Sequence, residues 1–320
     1  MNKKDNFVNI FDTSIASLNV GDYIIMDAVT KQLSTISNLP QTVTLPTHDH
    51  FGREGRRLLS LAKYSIVGGT NLLSSHVTQY RQWRFRMTDL LFLKKCILMG
   101  VGWWQYQDKP DRVTKFILKH ILHNEMLHSV RDSFTLKQLH SIGITNVINT
   151  GCPTMWDLTP EHCCNIPREK GRRVLFTLTD YNQDLSADAL LINTLKRHYD
   201  EVLFWPQGSE DIHYMNTFST DIRNGLKILR PSLSELNANL MLKETDYVGT
   251  RLHAGIRALQ LRARTIIIGV DNRAIEKAKD FNLPVLKRDA ILELENMIVE
   301  PLITQINMPW GNIEKWKDQF

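Results

Sequence analysis

The run "YVGTRLHAGIRALQLRARTIIIGV", residues 247–270, decides the fold. Leu252, Ile256 and Leu259 recur at i, i+4 and i+7, the spacing of one buried helical stripe. The apolar "DYVG" (246–249) before them and "TIIIGV" (265–270) after them read as strands, so the whole run is one strand–turn–helix–strand unit of a parallel sheet. Thr250 is the expected N-cap, because its hydroxyl can accept from the free N–H groups of the first turn. Arg251 and His253 then fall in that first turn, at the carboxyl end of a strand, where open α/β sheets bind ligands. A cation at a helix start opposes the helix dipole by roughly a few tenths of a kcal/mol or more. Two readings account for it. An anion over the turn would accept from the N–H groups and the guanidinium fork together. Alternatively Arg251 pairs with an acidic side chain and His253 packs on the helix surface.

The same alternation runs outward along the chain. Strands are expected at 7–11, 42–45, 64–68, 96–101, 127–131 and 145–150, and a second series at 172–179, 201–206, 246–249, 265–270 and 283–286, with helical patterns between them. The segment "DLTPEHCCNIPREKG" (157–171) has no period and reads as the linker. Two doubly wound, Rossmann-like α/β domains facing a cleft follow, 1–165 and 166–320. The tail is read as one helix to about Met308 and a short one after Pro309 and Gly311, with the C-terminal helices packing back on the first domain.

Composition bounds the function. With 42% apolar and 23% charged residues, the 320-residue chain can bury two ordinary cores. A net charge of +5 suits a cleft for anionic metabolites and not a dedicated nucleic-acid binder. No apolar run approaches the roughly 18 residues of a membrane span, so a cytoplasmic protein is expected, with membrane contact at most peripheral, at the inner face. Cys96, Cys152, Cys163 and Cys164 include no C-x-x-C pair and read as reduced thiols. His48 and His50 have no third partner at a persuasive spacing, so no metal is expected.

Five segments carry a resemblance. "NVGDYIIMDAV" (19–29), "YSIVGGTNLL" (64–73), "CILMGVGWWQ" (96–105), "HSVRDSFTLKQLHSIGITNV" (128–147) and "VGTRLHAGIRAL" (249–260) resemble the glycine turns, the Arg-Asp-x-x-Ser/Thr turn and the R-x-H motif of the polysaccharide pyruvyl transferase family. The resemblance extends over most of the chain. It implies a two-domain fold like the glycosyltransferase B type. It also implies transfer of the enolpyruvyl carbons of phosphoenolpyruvate to two sugar hydroxyls as a cyclic ketal, without a cofactor. The family's donor-binding positions match Arg131, Arg251 and His253, with Thr250 and Leu252 flanking the last two, and His253 is the implied catalytic acid or base. Cys152, Thr179-Asp180 and Thr70 depart from the family pattern and bear on the acceptor, which can be a sugar, a nucleotide sugar or a lipid-linked oligosaccharide.

The remaining candidates lie on the acceptor side. Asn19 and Asp22 bracket the turn that opens the first helix, with Asp22 as its expected cap; Gly69 ends a strand. Ser133 is the expected cap of the helix after "VRD", and Asp132 beside it is read as a further capping residue or as the group that orients Arg131. Trp103 and Trp104 follow a glycine turn and suit either a sugar ring or the core. The basic "RQWRFRM" (81–87) reads as a surface loop or as a contact for a polyanion or a lipid-linked pyrophosphate. Beside pyruvyl transfer stand two alternatives, a nucleotide-sugar glycosyltransferase of the same fold and a non-catalytic glycan- or anion-binding protein.

Overall fold

A computed structural model describes residues 7–320. Two compact units divide the chain. The first takes the chain up to Ser17, Ile25–Trp156 and Met308–Phe320; the second takes Leu18–Ile24 and Asp157–Asn307. The division therefore falls between Trp156 and Asp157, upstream of the 165–166 boundary drawn from composition.

In the first unit, β1 (Phe7–Asp12), β2 (Gln41–Pro46), β3 (Ser65–Gly68) and β4 (Cys96–Met99) form a parallel sheet in the order β2-β1-β3-β4. The strand order reverses between β1 and β3, as in flavodoxin-like sheets. A further parallel pair, β5 (His128–Val130) and β6 (Val147–Asn149), is joined to this sheet by a bridge between Val101 and Val130. A side chain interrupts the ladder there. The Leu98 N–H donates to His128 Nδ1 at 3.3 Å, while His128 Nε2 lies 2.9 Å from the His123 carbonyl. Nε2 thus carries the proton, and burial pushes this imidazole down to about 4. Phe11, Val67, Leu98, Trp103, Ile117 and Leu139 belong to the core between sheet and helices. The last helix, Trp310–Lys317, lies in this unit: Trp316 sets its edge on Trp156 at 5.8 Å, and Lys317 Nζ donates to Gln32 Oε1 at 2.7 Å.

In the second unit, β7 (Arg173–Thr177), β8 (Glu201–Phe204), β9 (Leu226–Ile228), β10 (Thr245–Gly249), β11 (Thr265–Gly269) and β12 (Val285–Lys287) are all parallel, in the order β12-β11-β10-β7-β8-β9. This is the Rossmann order, and its reversal lies between β7 and β10. Strand β9 was not expected: at the sheet edge, Lys227 and Ile228 are exposed, so it lacks the apolar run that marks its neighbours. The tail also differs from its reading. The helix Leu294–Val299 stops ahead of Pro301, whose ring and missing N–H end a helix, and 300–309 runs without helix. Arg264 satisfies this end: its buried guanidinium donates to the carbonyls of Met297, Ile298 and Glu300 at 2.7, 3.1 and 2.9 Å, groups that a helix end leaves unpaired.

Candidate functional site

The reversal point of the second sheet is tied by one closed set of hydrogen bonds. The Tyr247 hydroxyl has a single proton and gives it to the Arg251 carbonyl at 2.8 Å. Thr177 Oγ1, 2.7 Å from that hydroxyl, must then donate to it, and its lone pair accepts from the Arg251 N–H at 3.1 Å. Gly249 makes this approach possible, since a Cβ there would lie 2.4 Å from Thr177 Oγ1 and 2.6 Å from its backbone nitrogen. Arg251 is thereby fixed as the N-cap of the helix Leu252–Gln260, with β-region backbone. Thr250 is not the cap. The pairing of β10 with β7 turns its hydroxyl back to the Thr177 carbonyl, 3.4 Å away, and its N–H to the same oxygen at 3.1 Å. Leu252 and His253 are both buried in the first turn.

The guanidinium of Arg251 points at two carboxylates. Nε donates to Asp211 Oδ2 at 3.1 Å, and Nη2 donates both to Asp211 Oδ1 and, at 2.6 Å, to Asp180 Oδ1. Burial alone would depress this group, but Asp211, Tyr181 and Asp180 outweigh it and hold it above its usual range. The fork expected to face an external anion is thus filled by the chain's own acids, which is why a helix start carries a cation here. The two acids differ. Asp211 is fully buried and also accepts from the N–H groups of Gln207 and Gly208 at 2.9 and 2.8 Å, so it is fixed. Asp180 keeps 31% of its side chain exposed. Tyr181 beside it stacks under Arg251, 5.1 Å from the ring centroid, and under Arg273 at 5.4 Å. Sequence reasoning names neither Asp180 nor Asp211 as a partner of Arg251; Asp180 follows a strand closely, while Asp211 opens the helix Asp211–Asn216 and carries no such signal.

The turn at Asn19 belongs to the same unit. Asn19 Oδ1 accepts from the Gly21 N–H and from Gln207 Nε2, both at 2.9 Å, and Val20 N–H donates to the Gln207 carbonyl. A Cβ on Gly21 would lie 2.7 Å from Gln207 Nε2, and one on Gly208 would lie 2.6 Å from Arg251 Nη2. One loop, Gln207-Gly208, therefore links the Asn-x-Gly-Asp turn to the Arg251 cluster. Asn19, not Asp22, stands ahead of the helix Val20–Leu33; Asp22 is buried in its first turn.

The first unit has its own buried arginine. Arg131, after β5, donates from Nε to Asp132 Oδ2 at 3.1 Å and from Nη2 to the Trp103 carbonyl at 3.0 Å. Its guanidinium lies against Gly102, where a Cβ would come within 1.9 Å of Nε. Asp132, not Ser133, caps the helix Ser133–Ser141, accepting from Thr135 N–H at 2.7 Å. Trp103 is fully buried, with its Nε1 donating to Ser75 Oγ and Gln107 Oε1 at 3.2 and 3.1 Å. It is a core residue and offers no face to a sugar; Trp104, half-buried and 4.5 Å from the ring of Tyr80, is the accessible one. Gly69 has φ +57°, and a Cβ there would come within 2.2 Å of Ile25, so helix packing alone demands glycine. Among the described residues no three potential metal ligands cluster.

Two Rossmann-like sheets of this kind define an α/β protein of glycosyltransferase B-like fold. UDP-GlcNAc 2-epimerase from Methanocaldococcus jannaschii superposes over 98% of both chains with a TM-score of 0.57 at 11% identity. S. aureus MnaA, in its UDP co-structure, covers 94% of this chain and 92% of its own with a TM-score of 0.49 at 11% identity. At such identity the likeness is one of fold. The family model for polysaccharide pyruvyl transferase matches residues 19–272, and the chain belongs to that family. No curated protein matches it in sequence.

Proposed function

We propose that this protein transfers a pyruvyl group from phosphoenolpyruvate to two hydroxyls of a sugar in a surface-polysaccharide precursor. The single observation that carries this reading is the Arg251–His253 pair at the β7/β10 reversal, inside the segment that the family model matches. In the net reaction one hydroxyl proton ends on the methylene carbon, which becomes a methyl group. Two C–O bonds form at the neighbouring carbon, and the C–O bond to phosphate breaks, the second proton leaving with phosphate. His253 is the group assigned to carry a proton, since an imidazole both gives and takes protons near neutral pH. Arg251 and Arg131 are assigned to the donor's anionic groups, with Thr250 and Leu252 as neighbours in the donor site. For Arg251 this requires Asp180 to yield its place to the donor while Asp211 stays.

A second reading, a nucleotide-sugar-using enzyme of the same fold, draws support from the likeness to an epimerase whose structure holds UDP-GlcNAc and UDP. Incubation with phosphoenolpyruvate and candidate acceptors separates the two. Phosphate release that requires the acceptor, with a pyruvyl ketal on the product by mass spectrometry, is the expected result. Consumption of a UDP-sugar with phosphoenolpyruvate untouched would replace the first reading by the second.

A further inference from the structure

One face of the first unit combines exposed apolar side chains with dense positive charge. The short helix Met87–Leu91 buries Asp89 and Leu90 but leaves Met87 59% and Leu91 71% exposed. His120 Nε2 lies 2.7 Å from the Leu90 carbonyl, which ties the helix Arg112–Ile121 to this turn. One turn earlier on that helix, Phe116 stacks on His120 at 6.2 Å and is itself 65% exposed, although Ile117 and Leu118 beside it fill the core. Three large apolar residues on two tethered elements therefore face solvent. A burial-driven fold leaves single apolar residues exposed, but a group of this kind marks an interaction surface.

The surrounding charge says what covers it. Residues 81–119 hold nine Lys and Arg against three Asp and no Glu, and one of those Asp, Asp89, is fully buried against Arg56 at 2.7 Å. Beside Met87, an open depression of about 440 Å³ is lined by Arg53, Arg56, Arg57 and Arg86 together with Phe51 and Phe92. Arg57 shares its charge with the exposed Glu54, to which its Nε donates at 2.9 Å, so the four arginines keep an excess of positive charge. In the basic stretch "RQWRFRM" the aromatics turn inward, Trp83 packing on Phe11 at 5.3 Å and on Phe85 at 5.9 Å, while Arg81, Arg84 and Arg86 stay exposed. The segment is thus anchored by its rings and presents its cations. Apolar side chains that reach the acyl boundary, ringed by arginines that meet phosphate headgroups, are the chemistry of peripheral attachment to an anionic bilayer.

We propose that the face formed by Met87, Leu91 and Phe116 with Arg53, Arg57 and Arg86 docks the protein on an anionic lipid surface. The proposal is independent of the donor's identity and stands or falls apart from it. Co-flotation of the full chain with vesicles tests it, using phosphatidylcholine alone or mixed with phosphatidylglycerol in equal parts. Binding to the mixed vesicles and not to the neutral ones is expected. R53Q/R57Q/R86Q should weaken it roughly a hundredfold, at about fivefold per cation. M87S/L91S/F116S should weaken it at least about tenfold while melting at the wild-type temperature, because these side chains contribute little to the core. Equal binding to both vesicles, no binding to either, or wild-type binding by both variants would overturn the proposal. So would release from mixed vesicles by millimolar inorganic pyrophosphate at constant ionic strength, which would make the arginine depression a pocket for a small soluble anion.

Discussion

Two buried arginines, each following a strand and each lying against a glycine, are satisfied in opposite ways. Arg131 in the first unit meets one carboxylate, from the next residue, and that carboxylate also caps a helix. Arg251 in the second unit meets two, from 40 and 71 residues away, one fixed by backbone N–H groups and one partly exposed to solvent. A local pair holds a side chain in place at little topological cost. On the proposed reading, the remote pair holds a cation ready and its exposed member yields when a stronger anion arrives, so that the first unit's arginine has fixed geometry and the second's an exchangeable partner.

The largest expected effect asks whether the second edge carries chemistry. On the proposed reading, His253→Ala lowers the rate of ketal formation by roughly 10²–10⁴ with folding intact. A loss under tenfold in steady-state turnover would remove His253 from the reaction and leave the Arg251 cluster as structure alone.

Asp211→Ala comes next. It leaves a guanidinium buried without its fixed partner, and removing one member of a buried pair costs about 3–5 kcal/mol. Asp180 can compensate only in part, because it reaches a single nitrogen of the fork. Denaturant unfolding monitored on the second unit should show the loss; a cost below about 1 kcal/mol would mean that Asp180 and Asp211 are interchangeable, and the contrast between fixed and exchangeable acids would fail.

Acid should separate the units. His128 in the first unit is held neutral by burial, with its pKa lowered to about 4. The unfolded chain binds this proton first, so the stabilisation is present above about pH 6.5 and falls away as pH drops towards 4. Between pH 7 and 5 the loss is about 2 kcal/mol. In the second unit burial raises the carboxyls of Asp188 and Asp246, outweighing the hydrogen bonds from Tyr214 and Tyr199 and the nearby Arg288 and Arg264. That shift has the opposite sign: these groups favour the folded unit at low pH and cost stability as pH rises through their raised values. Melting between pH 7 and 5 should therefore weaken the first unit before the second, and His128→Asn should flatten the first unit's response.

The two arginines also mark how far the sequence could be read. "VRD" places Arg131 and its partner side by side, so that pair is legible, and the apolar runs mark eleven of the twelve strands among the described residues. Strand β9 escapes a reading by apolar runs because an edge strand need not be apolar. The tail helix ends ahead of Pro301, a stop the sequence shows, while the Arg264 guanidinium that pairs its last carbonyls comes from more than thirty residues upstream. The site was half legible. Arg251 and His253 stood out by their position at a helix start, but Asp180 and Asp211 reach Arg251 only through the strand order β10-β7-β8, which no local pattern encodes. Trp103 is ambiguous for a related reason: burial of an indole depends on acceptors for its N–H, and of the two here Gln107 is local but Ser75 comes from 28 residues away.

The smallest effect is the most diagnostic. If a donor anion displaces Asp180 from Nη2 of Arg251, then Asp180 is a competitor, and Asp180→Asn keeps its shape while removing its charge. Coulomb attraction across such a contact is about 4 kcal/mol at an effective dielectric of 20, and exposure of the carboxylate cuts this to a fraction. A gain of about tenfold in affinity for phosphoenolpyruvate, or about 1.4 kcal/mol, is expected by calorimetric titration. Inorganic phosphate should show the same trend, because the competition is for the cation and not for the rest of the donor. The alternative is that Asp180 serves to order the loop that lays Tyr181 across Arg251 and Arg273. Then the variant binds both anions more weakly, the exchange between internal and external anion does not occur, and Arg251 is as fixed as Arg131.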